Sequence, residues 1–317
     1  MAQRTSTTEV REQHGDLLRF ALREADAALA NAGPVLAQLL SARDDGLFSD
    51  EMLARVRGLV TSLAGSLIAL TSDTGTNTPR RDVADPRVLG LADYLLQSPA
   101  LLSHCHALAL ESQIAQRMER QAALDPVLSP FMQNAIAGSE QASLAMQALA
   151  AQARFVQAQK RMELRAEELP GELLFDVVRG WQHWSAINDV SGFAPGHQNL
   201  RRRYNEGQTR AVLLSRLIEA AGENAEHVLT VEHVGIALFV SGLARYAGIY
   251  RDLATFALTA GQTARFAVAL CAAGLSAETI ERQCLRLHPD LLPPVIPETL
   301  QPEAARAMLQ QSSGGLS

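Results

Sequence analysis

Cysteine is scarce in this chain of 317 residues: Cys105, Cys271 and Cys284 are all there is. They are odd in number, far apart and never in a CxxC pair, which excludes a disulfide framework and a thiolate zinc site and points to a reducing, cytoplasmic setting. Lysine is rarer still. Lys160 is the one lysine among 28 basic residues, a bias that genome composition accounts for without any binding chemistry. Aromatic residues are 5% of the chain, and no pair of β-branched runs flanks a hairpin turn, so a substantial sheet is excluded. Long apolar runs are missing too. The longest, Leu59 to Leu70, is interrupted by Thr61, Ser62, Gly65 and Ser66 and falls short of the roughly 20 residues that span a bilayer. The opening MAQRTSTTEVREQHGD scatters charge where a signal peptide would carry its apolar core. The formal net charge of −6 argues against a chain whose main task is to neutralise nucleic-acid phosphates or coat an anionic membrane.

What is present is a core-forming, helix-forming composition. Apolar residues make up 47% and charged residues 20%, well outside the disordered regime. Ala and Leu dominate, both strong helix formers. The 3.6-residue period predicts an all-α fold of stacked antiparallel helical hairpins, an irregular α-solenoid or multi-helix bundle, without a sheet. Five regions are expected: N-terminal helices over 1–72, a loop over 73–86, a long-helix hairpin region over 87–165, a C-terminal helical region over 170–290, and a proline-rich strap with a short helix and tail over 291–317. Caps are expected at Ser49, Ser98, Ser139, Thr230 and Ser276. Leu144, Ala148, Ala151, Phe155, Ala158 and Met162 form a seam of 3.5-residue period. A single long Arg-rich helix is expected from about Asn199 to Ala221, after a loop from Val190 to Gly196.

The motifs of common chemistry are missing. No GxxxxGK[ST] phosphate loop, GxSxG elbow or GxGxxG after a strand occurs. His104, Cys105 and His106 are adjacent, but on a helix the two histidines point about 200° apart and cannot share an ion. Glu226-His227 and Glu232-His233 lack the Glu-x-x-His spacing of a di-iron site. No catalytic residue, cofactor or metal site is therefore assigned. Three features remain. Trp181 and Trp184, the only tryptophans, share a helix face and either anchor the core or offer a stacking platform. Arg201, Arg202 and Arg203, followed by Arg210, form a basic stripe if the helix is continuous, for an acidic partner or as a solvated face. Residues 263–286, TARFAVALCAAGLSAETIERQCLR, match a helix-turn-helix in outline, with Gly274 in the turn and Ser276 as cap. Glu278, Glu281 and Asp290 offset Arg282 and Arg286 there, where a DNA reader would be basic.

The run AMQALAAQARFVQAQKRMEL after Leu144, then ELPGELL, and the C-terminal GIALFVSGLARYAG, RDLATFALTAGQTARFAVALCAAGL and LRLHPD together resemble an uncharacterised family of Ala/Leu-rich, helical-repeat-like alphaproteobacterial proteins, a domain of unknown function. The likeness spans residues 85–290 and implies an all-helical fold and no site residues. The functional expectation is a bacterial helical scaffold or protein-protein interaction module without catalysis. Trp181, Trp184, Arg201, Arg202, Arg203 and Arg210 are its candidate partner surface, its ligand a protein and neither nucleic acid nor membrane, and self-association is left open. The alternative is a transcriptional or signalling regulator that contacts DNA through 263–286.

Overall fold

Short polar side chains followed by proline start three of the helices. Pro86–Leu95 (α3) opens on the Asp85 carboxylate, which accepts from the Arg87 amide at 2.9 Å. Pro99–Ala122 (α4) opens on Ser98, whose hydroxyl accepts from the Leu101 amide at 3.4 Å. Pro130–Ala137 (α5) opens on Ser129, which accepts from the Met132 amide at 3.2 Å. In each, the cap satisfies an otherwise orphaned amide, and proline at the first position has no amide to satisfy. The computed structural model describes residues 15–32, 35, 50–71, 85–138, 140–222, 225–297 and 299–313. The caps expected at Ser49 and Ser139, the start of the first helix near Ser6 and nearly all of the 73–86 loop lie outside them.

The fold is all-α, and no strand occurs among the described residues. The remaining helices are α1 over 15–32, Asp50–Thr71 (α2), Ala142–Lys160 (α6), Gly171–Ile187 (α7), Phe193–Arg203 (α8), Arg210–Ala220 (α9), Ala225–Val228 (α10), Val231–Ala247 (α11), Arg251–Ala257 (α12), Thr263–Ala272 (α13), Ala277–Leu287 (α14) and Pro302–Ser313 (α15). They group into two compact units: Met1–Ala32, Leu110–Leu149 and Leu214–Ser317 form one, and Gly33–Ala109 with Ala150–Leu213 form the other.

In the unit of 33–109 and 150–213, α2 packs on α3 and α8, and α7 on α3 and α8. Trp181 is fully buried and Trp184 nearly so. Glycines make the room: a Cβ on Gly196 would meet the Trp181 ring at 2.9 Å, and one on Gly90 would meet Trp184 at 3.2 Å. Phe193 meets Trp181 edge-on at 4.8 Å, in the geometry that aromatic quadrupoles favour. Among the described helices α2 alone is long and apolar enough to cross a membrane. Its Val56, Leu59, Val60, Leu63, Ala64 and Leu67 are fully buried.

In the other unit α13 is buried along its length and packs on α11, α12, α14 and α15. Arg265 on α13 is wholly buried, yet its guanidinium meets the Asp26 carboxylate of α1 and donates to Gln262 Oε1 at 3.0 Å. Gln262 in turn donates to the Ala25 carbonyl at 3.0 Å. These bonds, with buried Leu18, Leu22 and Ala25, hold α1 in place, whereas Leu17 and Phe20 face outward. A second buried pair joins α12 to α4: Arg251 donates to both Glu111 oxygens at 2.8 and 3.0 Å and to Ser241 Oγ at 3.3 Å.

Three local expectations are corrected. The Thr230 hydroxyl donates backwards to the Glu226 carbonyl at 2.9 Å and leaves the α11 start to Gln283, whose Oε1 accepts from the Val231 amide at 3.1 Å. The buried stripe of α6 is Ala145, Ala148, Ala151, Gln152 and Gln159, and Met162 falls beyond the helix end with φ 53° against Gly58. The Arg-rich segment is also not one helix, and that break shapes the candidate site.

Candidate functional site

Between α8 and α9 the chain turns where Tyr204-Asn205-Glu206-Gly207 interrupts the Arg-rich run. Asn205 Oδ1 accepts from the Gly207 amide at 3.1 Å, closing an Asx turn and starting the one-turn 3₁₀ helix Glu206–Gln208. Partners across the bend at 169–171 fix the break. The Tyr204 hydroxyl donates to the Leu169 carbonyl at 3.1 Å, and Glu206 Oε1 accepts from the Gly171 amide at 3.1 Å. Burial, and then the nearby Glu206 carboxylate, push the Tyr204 phenol above its usual pKa, so it stays a neutral donor.

This break separates the arginines that a continuous helix would have aligned. Arg210 starts α9 and is buried, with Nη1 donating to Gln152 Oε1 at 3.1 Å and its guanidinium carbon 3.6 Å from the centre of the Phe155 ring. Its amide donates to Glu168 Oε2 at 3.4 Å. Arg201, Arg202 and Arg203 close α8 and are exposed, where cations suit the negative end of the helix dipole. Arg202 donates to Asn199 Oδ1 at 2.8 Å.

Beside this turn lies an open cavity of about 380 Å³ lined by Arg165, Glu167, Glu168 and Arg203. Arg165 Nε stands 3.8 Å from Glu167 Oε2. Sequence reasoning placed Arg203 among the candidates but missed Arg165, Glu167 and Glu168, which become neighbours only through the break. The signal was available: Asn205 and Gly207 are turn formers set inside an otherwise helical run.

The six sequence candidates therefore divide. Arg201, Arg202 and Arg203 are on the surface, and Arg203 lines the cleft. Arg210 is a core cation. Trp181 and Trp184 are core residues because the unit needs their bulk between α2, α3 and α8, so the surface has no aromatic platform from them. The hairpin at 263–286 has the expected turn, with Gly274 at φ 90° and Ser276 Oγ accepting from the Thr279 amide at 3.3 Å. Both arginines on its outer helix are paired, Arg282 with Glu278 at 3.5 Å and Arg286 with Glu232 at 2.8 Å.

Several other titratable groups are buried. His106 is held down to a pKa of about 4 by burial. Cys284 is pushed up to about 11 by burial and by Glu281, and Cys271 is raised by burial. Nearer the surface, the rings of His227 and His233 meet at a tilt of 57° with 4.4 Å between centres, which the sequence spacing did not suggest, and Phe131 meets His233 edge-on. No group of three or more His, Cys, Asp or Glu able to hold a metal occurs among the described residues. The chain matches no protein-family model, no curated protein and no solved structure.

Proposed function

We propose that this chain is a non-catalytic helical module of the cytoplasm that binds another protein through the exposed end of α8. The observation that carries the reading is the break at 204–209. It leaves three arginines on one exposed helical turn beside an open, charge-lined cleft, while all three cysteines, with His104, His106 and His288, are buried inside the units. Charged rims of this kind guide partner choice and association rate more than they add raw affinity. Membership in the Ala/Leu-rich helical family that residues 85–290 resemble belongs to the same proposal and adds no site.

The rival reading, a regulator that reads DNA through α14, demands arginines free to meet phosphates. The ion pairs of Arg282 and Arg286 weigh against it.

Affinity purification of the full chain from its native cells tests the proposal. A discrete protein recovered in near-stoichiometric amount across replicates is expected. Repeated recovery of the chain alone would overturn it.

A further inference from the structure

The charges around the α8 turn do not cancel evenly, and the imbalance specifies a ligand. Glu167 faces Arg165. Glu168 accepts from the Arg210 amide, and Glu206 accepts from the Gly171 amide. Glu168 and Glu206 thus already have backbone donors, whereas Glu167 has Arg165 only at ion-pair distance. Arg202 is bonded to Asn199, but Arg201 and Arg203 have no hydrogen-bond or ion-pair partner among the described residues. The unused capacity is two guanidiniums, each with paired N–H donors whose fork matches a carboxylate.

We infer that this turn takes an acidic peptide segment that wraps the exposed end of α8, its carboxylates meeting Arg203 at the cleft and Arg201 round the helix end, while its own N–H groups or cations face Glu167 across the cleft. The inference rests on the protein-binding reading above and names the partner's chemistry. The two glutamates in the lining decide between polyanions. A phosphate backbone carries charge at every step and donates nothing, so it leaves the carboxylates of Glu167 and Glu168 in the lining unanswered. A peptide alternates acceptors with amide donors and can satisfy both signs. Because the arginines are exposed, each contact is weak and screened by salt, so recognition needs several carboxylates in a row.

Fluorescence anisotropy with the full chain tests this. The labelled probes are a short peptide of alternating Glu and Ala, its Lys counterpart and a DNA duplex of matched length, each at low and moderate salt. The Glu peptide should bind, weaken as salt rises, and lose about tenfold in affinity in the Arg201→Ala/Arg203→Ala variant. The Lys peptide should gain affinity in Arg201→Glu/Arg203→Glu. Both side chains are exposed, so unchanged urea midpoints will show that the variants stay folded. Equal affinity of wild type and variants for the Glu peptide overturns the inference, as does a duplex that binds as tightly as the peptide. If affinity purification yields a partner that the double variant retains in full, the binding module stands and the acidic-segment inference falls.

Discussion

Arg210 and Phe155 form a cation–π pair, with the guanidinium carbon 3.6 Å from the ring centre, and the arginine is buried. The contact is a structural joint between α9 and α6, since the same guanidinium also holds Gln152. Desolvated cation–π pairs contribute on the order of 2 kcal/mol. Arg210→Ala removes that contact and the hydrogen bond to the buried Gln152 carboxamide, so urea unfolding should show a loss of about 2–4 kcal/mol. Arg210→Lys should recover less than half of it, because ammonium lacks the planar stack. A variant as stable as the wild type would sink the assignment.

Glu111 and Arg251 should behave as one unit. Removing one partner of a buried pair leaves an uncompensated charge, at a cost of about 3–5 kcal/mol. Glu111→Leu and Arg251→Leu should each be strongly destabilising, and the double variant milder than their sum. A double-mutant cycle from urea midpoints reads the coupling directly. Strict additivity would show that the two hydrogen bonds at 2.8 and 3.0 Å add nothing as a pair.

The histidines give stability a pH slope of definite sign. Burial lowers His106 to about 4. Burial and the Arg117 charge lower His288, and burial with the His227 charge lowers His233. A histidine whose folded pKa lies below its unfolded value binds fewer protons folded than unfolded, so its contribution is complete above about pH 6.5 and is lost as pH falls toward the folded value. Unfolding free energy should therefore drop between about pH 6.5 and 4, with His106 contributing at most about 1.4 kcal/mol per pH unit. His106→Gln should flatten that slope in urea titrations at stepped pH. A slope that His106→Gln leaves unchanged would refute the assignment.

Two glycines offer a matched contrast. Gly192 starts α8 at φ 93°, and a Cβ there would meet Thr71 Cβ and its carbonyl oxygen at 2.9 Å. Gly192→Ala should cost about 1–3 kcal/mol from backbone strain alone, and more from the clash. Gly261 has nothing within 4 Å and an ordinary φ. Gly261→Ala should be neutral or stabilising by up to about 1 kcal/mol. Thermal melts of both variants check the pair, and a tolerated alanine at 192 would contradict the packing of α8 against the end of α2.

The helical class and many helix starts were legible in the sequence because they depend on short-range chemistry. Ser98 and Ser276 cap from within a few residues, as their spacing predicts, and Ala/Leu periodicity needs no partner to be read. The site was harder. Arg203 stood out as part of a cluster, but its neighbours Arg165, Glu167 and Glu168 arrive from another stretch of chain, held by the bonds Tyr204–Leu169 and Glu206–Gly171. Helical periodicity across 199–221 was strong enough to hide the Asn205 turn. The tryptophans misled for a related reason. Spacing put them on one face but carries no sign for in or out, and only the glycines at 90 and 196 show that the rings lie inward. Burial likewise separated Arg210 from Arg201, Arg202 and Arg203, which look alike in sequence.

The ion pair between Asp26 and Arg265 joins residues 239 positions apart. During synthesis at about 5–20 residues per second, α1 leaves the ribosome roughly 10–50 s before the arginine that fixes it exists. Over that interval the Ala25 carbonyl and the Asp26 carboxylate of α1 also lack Gln262 and Arg265, their partners in the finished protein. A chain cut short before residue 265 therefore lacks both side chains that hold α1 through hydrogen bonds.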